Sequence, residues 1–192
     1  MRYYLWAAGC LVVGAGFGVA LAWGWDDPWQ ARLLVAHALT NLLGWVGLTV
    51  TGTLLTLWPT MLRTRMDVRA EALARQALPV LLAGITIVVA GASLGIRPVA
   101  AAGVLAYAAG LGWWGRALWR PARQAPPRHT STWSVTAALV WGLAALAAVV
   151  GTVVAAGSWT EVGESYGRVT TIAVIGFAAQ LLTGALSHLV PA

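Results

Sequence analysis

The chain has 192 residues, of which 59% are hydrophobic and only 9% charged, with a formal charge of +6. A water-soluble domain carries roughly 25% charged residues, so these few charges cannot clothe a soluble fold, and lipid is the medium that suits the composition. The basic residues are all arginine and sit mainly in short loops between apolar runs, which argues against a nucleic-acid footprint, and the lone cysteine, Cys10, excludes an intrachain disulfide.

A spanning helix needs about 20 mostly apolar residues, because in hydrocarbon the backbone must bond to itself. The first such run is Tyr3 to Trp25. It is too long for a signal peptide, and Trp23 and Trp25 stand where small cleavage-site residues belong, so it reads as a retained span closed by Asp26, Asp27 and Pro28. The second run, Trp29 to Trp58, is the longest and is expected to tilt or project. The polar stretch Thr60 to Gln76 holds Arg63, Arg65, Arg69 and Arg75 with interleaved apolar residues, and predicts a short interfacial helix.

The third span is Ala77 to Gly95. A tight turn at Ile96, Arg97 and Pro98 leads to the fourth, Val99 to Trp119. Arg120 to Thr132 is a second arginine loop, irregular around Pro126 and Pro127, with Ser131 or Thr132 expected to cap the next helix. The fifth span is Trp133 to Gly157. A loop, Ser158 to Gly167, carries Glu161 and Glu164. The sixth span is Arg168 to Val190, after which Pro191 and Ala192 end the sequence.

The reading is all-α: one transmembrane domain over residues 1–192, a polytopic bundle of six transmembrane helices. Arginine accumulates between spans two and three and between spans four and five, so those loops and both termini are expected on the cytoplasmic side of a bacterial inner membrane. Tryptophan fits the same frame, with Trp23, Trp25, Trp29 and Trp159 at the outer interface and Trp58, Trp113, Trp114, Trp119 and Trp133 at the inner one. Trp45 and Trp141 fall mid-span and are expected to pack. Gly14 with Gly18, and Gly91 with Gly95, have the spacing that lets helices approach closely.

Motifs of soluble enzymes are absent, and no span carries a carboxylate for a proton relay. His37 is the residue of interest. It lies about two turns into the second span, where an ionisable group is costly and is a functional-site hypothesis by default. Asn41 and Gly44 follow at i+4 and i+7 on its stripe. Gly44 removes bulk beside the imidazole, as a flat macrocycle would need, and Asn41 or a carbonyl would hold the other ring nitrogen and set the tautomer. The alternative is a neutral histidine bonded through one nitrogen to a neighbouring helix. Thr49, Thr53, Thr56 and Thr60 form a polar stripe that reads as interhelical packing or a water path. His129 reads as a solvated loop residue. His188 reads as an interfacial side chain or one complementing a helix C-terminus.

The run from Ala36 through Leu54, continuing as Thr56-Leu57-Trp58-Pro59-Thr60-Met61-Leu62-Arg63-Thr64-Arg65, resembles the membrane-embedded N-terminal region of bacterial multicopper-oxidase and copper nitrite reductase type proteins. That region in turn resembles the core subunit of haem-copper oxidases. His129 to Val135 and Gly176 to Pro191 are similar to later segments of it. The resemblance implies that His37 ligates the iron of a b-type haem, as a histidine near the outer end of the second helix does in haem-copper oxidases. It also implies departures. The second axial histidine belongs to a later helix, and His188 lies too near the cytoplasmic end to match the copper ligands. Copper would come only through a partner or a missing domain. The resemblance thus implies a module supporting electron transfer, not catalytic alone, as a fragment of a longer protein, a homo-oligomer, or the partner of a membrane subunit or copper domain. The rival readings are a cofactor-free membrane anchor or assembly protein, and a small-solute or metal permease, which the weak polarity of the spans disfavours.

Overall fold

A computed structural model describes residues 1–190, and Pro191 and Ala192 lie outside the described residues. Six helices follow one another, with no strand among the described residues. They are α1 (Arg2–Leu21), α2 (Trp29–Met61), α3 (Ala70–Leu94), α4 (Arg97–Gln124), α5 (Thr130–Ala155) and α6 (Trp159–Leu189). Five of them, all but α4, are long and apolar enough to cross a membrane. The 28-residue α4 is diluted by glycine, tryptophan and four arginines. Outward-facing Leu5, Val12 and Val19 of α1 and Val174, Ile175 and Leu182 of α6 are more than half exposed. Such apolar faces are a liability in water and at home against lipid chains. The chain is a multi-pass membrane helix bundle.

The helices end where caps and turns end them, and this moves several expected boundaries. α1 stops at Leu21 instead of Trp25: Gly24 takes φ +69°, and the Trp25 indole donates back to the Ala20 carbonyl at 2.9 Å. α2 runs through Pro59 to Met61; proline has no N–H to return to the carbonyl one turn back, and the helix ends within the next turn. No separate interfacial helix forms between α2 and α3. The residues from Ala70 onward are the first turns of α3, and only the segment before them is loop. α3 ends in a Schellman motif, with Gly95 left-handed at φ +77°, its N–H on the Ala92 carbonyl and the Ile96 N–H on the Gly91 carbonyl.

α5 begins at Thr130, and its N-cap is His129 rather than Ser131 or Thr132. The His129 N–H donates to Thr132 Oγ1 at 3.2 Å, and that hydroxyl donates to the His129 carbonyl at 2.8 Å. α6 begins at Trp159, nine residues before the expected start. Ser158 Oγ accepts the Glu161 N–H at 3.2 Å and Glu161 accepts the Gly157 N–H, so the expected loop with Glu161 and Glu164 is helix.

Glycine sets the packing. α3 and α4 form the closest pair: a Cβ on Gly84 would lie 2.7 Å from the Tyr107 nitrogen, and those on Gly91 and Gly103 would strike the backbones of Ala100 and Val88. Small residues allow this approach, and in lipid packing is a main source of helix association. Trp58, Trp114 and Trp159 are buried between helices, and the indoles of Trp58 and Trp159 donate to the Leu118 and Gly95 carbonyls. Trp45 and Trp141, expected to pack, stay nearly half exposed; Trp141 lies over Gly176 with its outer face free.

Candidate functional site

α1 and α2 meet antiparallel along the His37 stripe. His37 lies eight residues past the start of α2, a rise of about 12 Å. Its Nδ1 sits 2.9 Å from the Gly14 carbonyl. A carbonyl only accepts, so Nδ1 is the donor here, and in a neutral ring Nε2 would keep its lone pair. Gly18 admits the ring, since a Cβ there would lie 3.1 Å from Cε1. One turn on, the Asn41 amide lies over Gly14 and donates to the His37 carbonyl at 2.9 Å. At Gly44 a Cβ would stand 2.5 Å from the Cys10 Cβ. The structure therefore brings His37, Asn41 and Gly44 together on one face, against Gly18, Gly14 and Cys10 of α1.

The middle of α2, Thr40–Gly47, is π-helical, as is Ile172–Ala179 in α6. Such segments are rare and concentrate at functional sites. Side-chain donors fall on carbonyls at and around the first of them: Thr40 on Ala36, Asn41 on His37, Thr49 on Trp45, and the Tyr107 hydroxyl on Leu43 at 2.9 Å. Every carbonyl that the wider helical register weakens in hydrocarbon needs another donor, and these side chains supply four. Leu42, Leu43 and Gly47 from the first π segment and Phe177 from the second are among the residues lining an apolar cavity of about 300 Å³.

The threonine stripe is spent on its own helix. Thr53, Thr56 and Thr60 donate to the carbonyls of Thr49, Thr53 and Thr56, and Thr53 also meets the Tyr4 hydroxyl of α1 at 3.1 Å. His129 caps α5 and His188 sits in the last turn of α6. Neither joins His37, and no group of three metal-ligating side chains occurs among the described residues.

A haem would find one candidate ligand in the seam, the His37 imidazole, which could hold the iron through the Nε2 lone pair of its neutral form. The glycine notches do not form a cradle for the macrocycle, since His37, Asn41 and Cys10 fill them from within the seam.

Two structural residues were not read from sequence. Asp67 is buried in the first arginine loop, where it accepts the Arg69 N–H at 2.9 Å and faces Arg120 of α4 at 3.7 Å. Arg32 packs on Gly95 and stands 5.1 Å over the Trp29 ring. Arg32 was legible as the one charge within the second apolar run; Asp67 had no signal beyond being the acid among arginines.

Fold and site together define a multi-pass membrane helix bundle with a histidine-bearing seam between its first two helices. No protein-family model matches the chain, and neither a curated protein nor a solved structure is similar to it at a significant level.

Proposed function

We propose that the chain is a six-span module of a bacterial inner membrane, with both ends cytoplasmic, that supports electron transfer as the membrane part of a haem- or copper-oxidase type assembly. The observation that carries this reading is the bond between His37 Nδ1 and the Gly14 carbonyl. It orients the ring and gives it the tautomer in which an imidazole ligates iron. His37 would supply one ligand of a b-type haem, and a second copy or partner subunit would supply the other. The haem, when bound, brings one-electron redox chemistry. Gly14 and Gly18 admit the ring, and the Gly14 carbonyl keeps the proton on Nδ1.

The arginine loops support the orientation. Two contacts agree with it: the Tyr3 hydroxyl at the start of α1 donates to Ala74 at the start of α3, and Trp58 near the end of α2 reaches Leu118 of α4. The filled notches favour a second reading, a cofactor-free anchor in which the same bond only clamps α1 to α2.

An absorption spectrum of protein purified in detergent from haem-replete cells separates the two. A Soret band that His37→Ala removes or shifts supports the first; no band, or one unchanged by the substitution, leaves the anchor. Orientation is tested in a Cys10→Ser background. A membrane-impermeant thiol reagent added to intact cells should label Ser158→Cys and spare Arg128→Cys; the reverse pattern overturns the orientation.

A further inference from the structure

At the ends of α2 and α4 and the start of α5 lies a cleft of about 210 Å³, lined by Arg63, Gln124, Arg128 and His129 beside the apolar Met61 and Leu62. Its chemistry is one-sided. Among the described residues neither Arg63 nor Arg128 has a carboxylate within 4.0 Å, and the acid of the adjoining loop, Asp67, is already engaged by Arg69 and Arg120. His129 brings an imidazole to the same cleft, and a neutral imidazole carries one ring N–H that can donate. Two guanidiniums, an imidazole N–H and an amide make a donor set for a tetrahedral oxyanion, which arginine matches in geometry as well as charge.

The backbone at Arg63 singles this place out. α2 ends in the same Schellman motif that ends α3: the Arg63 N–H bonds the Thr60 carbonyl and the Thr64 N–H the Pro59 carbonyl. α3 puts Gly95 at the left-handed position. α2 puts Arg63 there, at φ +54°, the only non-glycine residue with positive φ among the described residues. A side chain at that position is strained where glycine is not. The terminus gains a cation near its carbonyls, but a lysine or arginine one turn earlier would supply that without strain. What only this position supplies is a guanidinium at the cleft.

We propose that this cleft binds a phosphate group, carried by an anionic lipid headgroup or by a free phosphate ion. Basic residues at the helix ends provide the charge that draws a phosphate, beside the buried Met61 and Leu62. The proposal does not depend on a haem at His37.

The test uses the full chain in detergent. Native mass spectrometry is run with phosphatidylglycerol and with phosphatidylcholine of the same acyl chains, and thermal unfolding is followed with inorganic phosphate. The expected result is one retained phosphatidylglycerol per chain, held at least tenfold better than phosphatidylcholine. Retention should fall at least tenfold in Arg63→Gly with Arg128→Gln, and stay unchanged in Arg75→Gln, on the exposed start of α3. Arg63→Gly alone should unfold no lower than the parent chain, which separates loss of a ligand from loss of the fold. If the double variant does not fold, Arg128→Gln in the loop carries the test alone. Protection by phosphate with no preference between the lipids identifies the free ion as the source. Equal retention of both lipids with no protection by phosphate, or retention that survives the substitutions or falls equally with Arg75→Gln, overturns the proposal.

Discussion

The hydroxyl of Tyr107 donates to the carbonyl of Leu43 across 2.9 Å, and the bare backbone of Gly47 is what admits it. This single bond ties α4 to the π-helical stretch of α2, and Tyr107 itself is 2% exposed. Tyr107→Phe removes the donor and leaves a buried carbonyl short of a partner, so unfolding in detergent should show a loss of about 1–2 kcal/mol. A Cβ at Gly47 would strike the hydroxyl. Gly47→Ala should therefore cost about 1–3 kcal/mol alone and much less in the Tyr107→Phe background. A double-mutant cycle reads the difference; strict additivity would show that the two residues do not meet.

The seam carrying His37 makes a graded prediction on α1. Gly14→Ala drives a Cβ to 2.5 Å from the Asn41 amide and Gly18→Ala to 3.1 Å from the imidazole, whereas Gly16→Ala meets nothing within 4 Å. The first should destabilise by about 1–3 kcal/mol and the second by less. Gly16→Ala should be neutral or slightly stabilising, because alanine is the better helix former by about 1 kcal/mol. Thermal melts of the three variants give the order.

Between α3 and α4 the obstacle is backbone, which cannot swing aside as a side chain can. Gly84→Ala, Gly91→Ala and Gly103→Ala each set a Cβ against main-chain atoms of the facing helix. Each should cost at least as much as Gly14→Ala, at or above the roughly 3 kcal/mol upper end for overpacking. Gly112→Ala and Gly115→Ala, open on the same α4, are the controls and should melt like the parent chain.

Asp67 tests whether a buried acid secures the first arginine loop. Its side chain is 2% exposed, while that of Arg120 is 56% exposed, so the ion pair itself is screened and worth little. The bond to the Arg69 N–H is the stronger part. Asp67→Ala should lose about 2 kcal/mol and Asp67→Asn, which keeps an acceptor, about half of that. Arg120→Gln should lose less than about 1 kcal/mol. Equal effects of Asp67→Asn and Asp67→Ala would assign the stabilisation to charge instead.

Much of this fold was legible because hydrocarbon demands long apolar helices, and hydropathy finds them. The errors lie at helix ends, where hydrogen bonding and caps decide. Ser158 with Glu161 three residues on is the sequence pattern of a capping box, yet the glutamates and low hydropathy of that stretch suggested a loop. Residues from Ala70 to Gln76 carry the charge of a loop, yet nothing in them breaks a helix, and they form the first turns of α3. The candidate site was legible as a stripe, since His37, Asn41 and Gly44 follow helical spacing. Its partner was not, because no local pattern in α1 points Cys10, Gly14 and Gly18 at α2.

The amino-acid sequence by itself determined the medium and the material: few charges, long apolar runs, arginine concentrated in alternate loops, and a histidine about two turns into the second span. These are sums over local composition, and the bilayer acts on them directly. Only the tertiary structure decided which atoms meet. That the Gly14 carbonyl accepts the His37 hydrogen bond, that Cys10 fills the notch at Gly44, and that Arg63 and Arg128 line one cleft depend on how residues far apart in the chain pack. Packing is set by the shapes of whole helix faces, to which each position contributes only in the company of its neighbours.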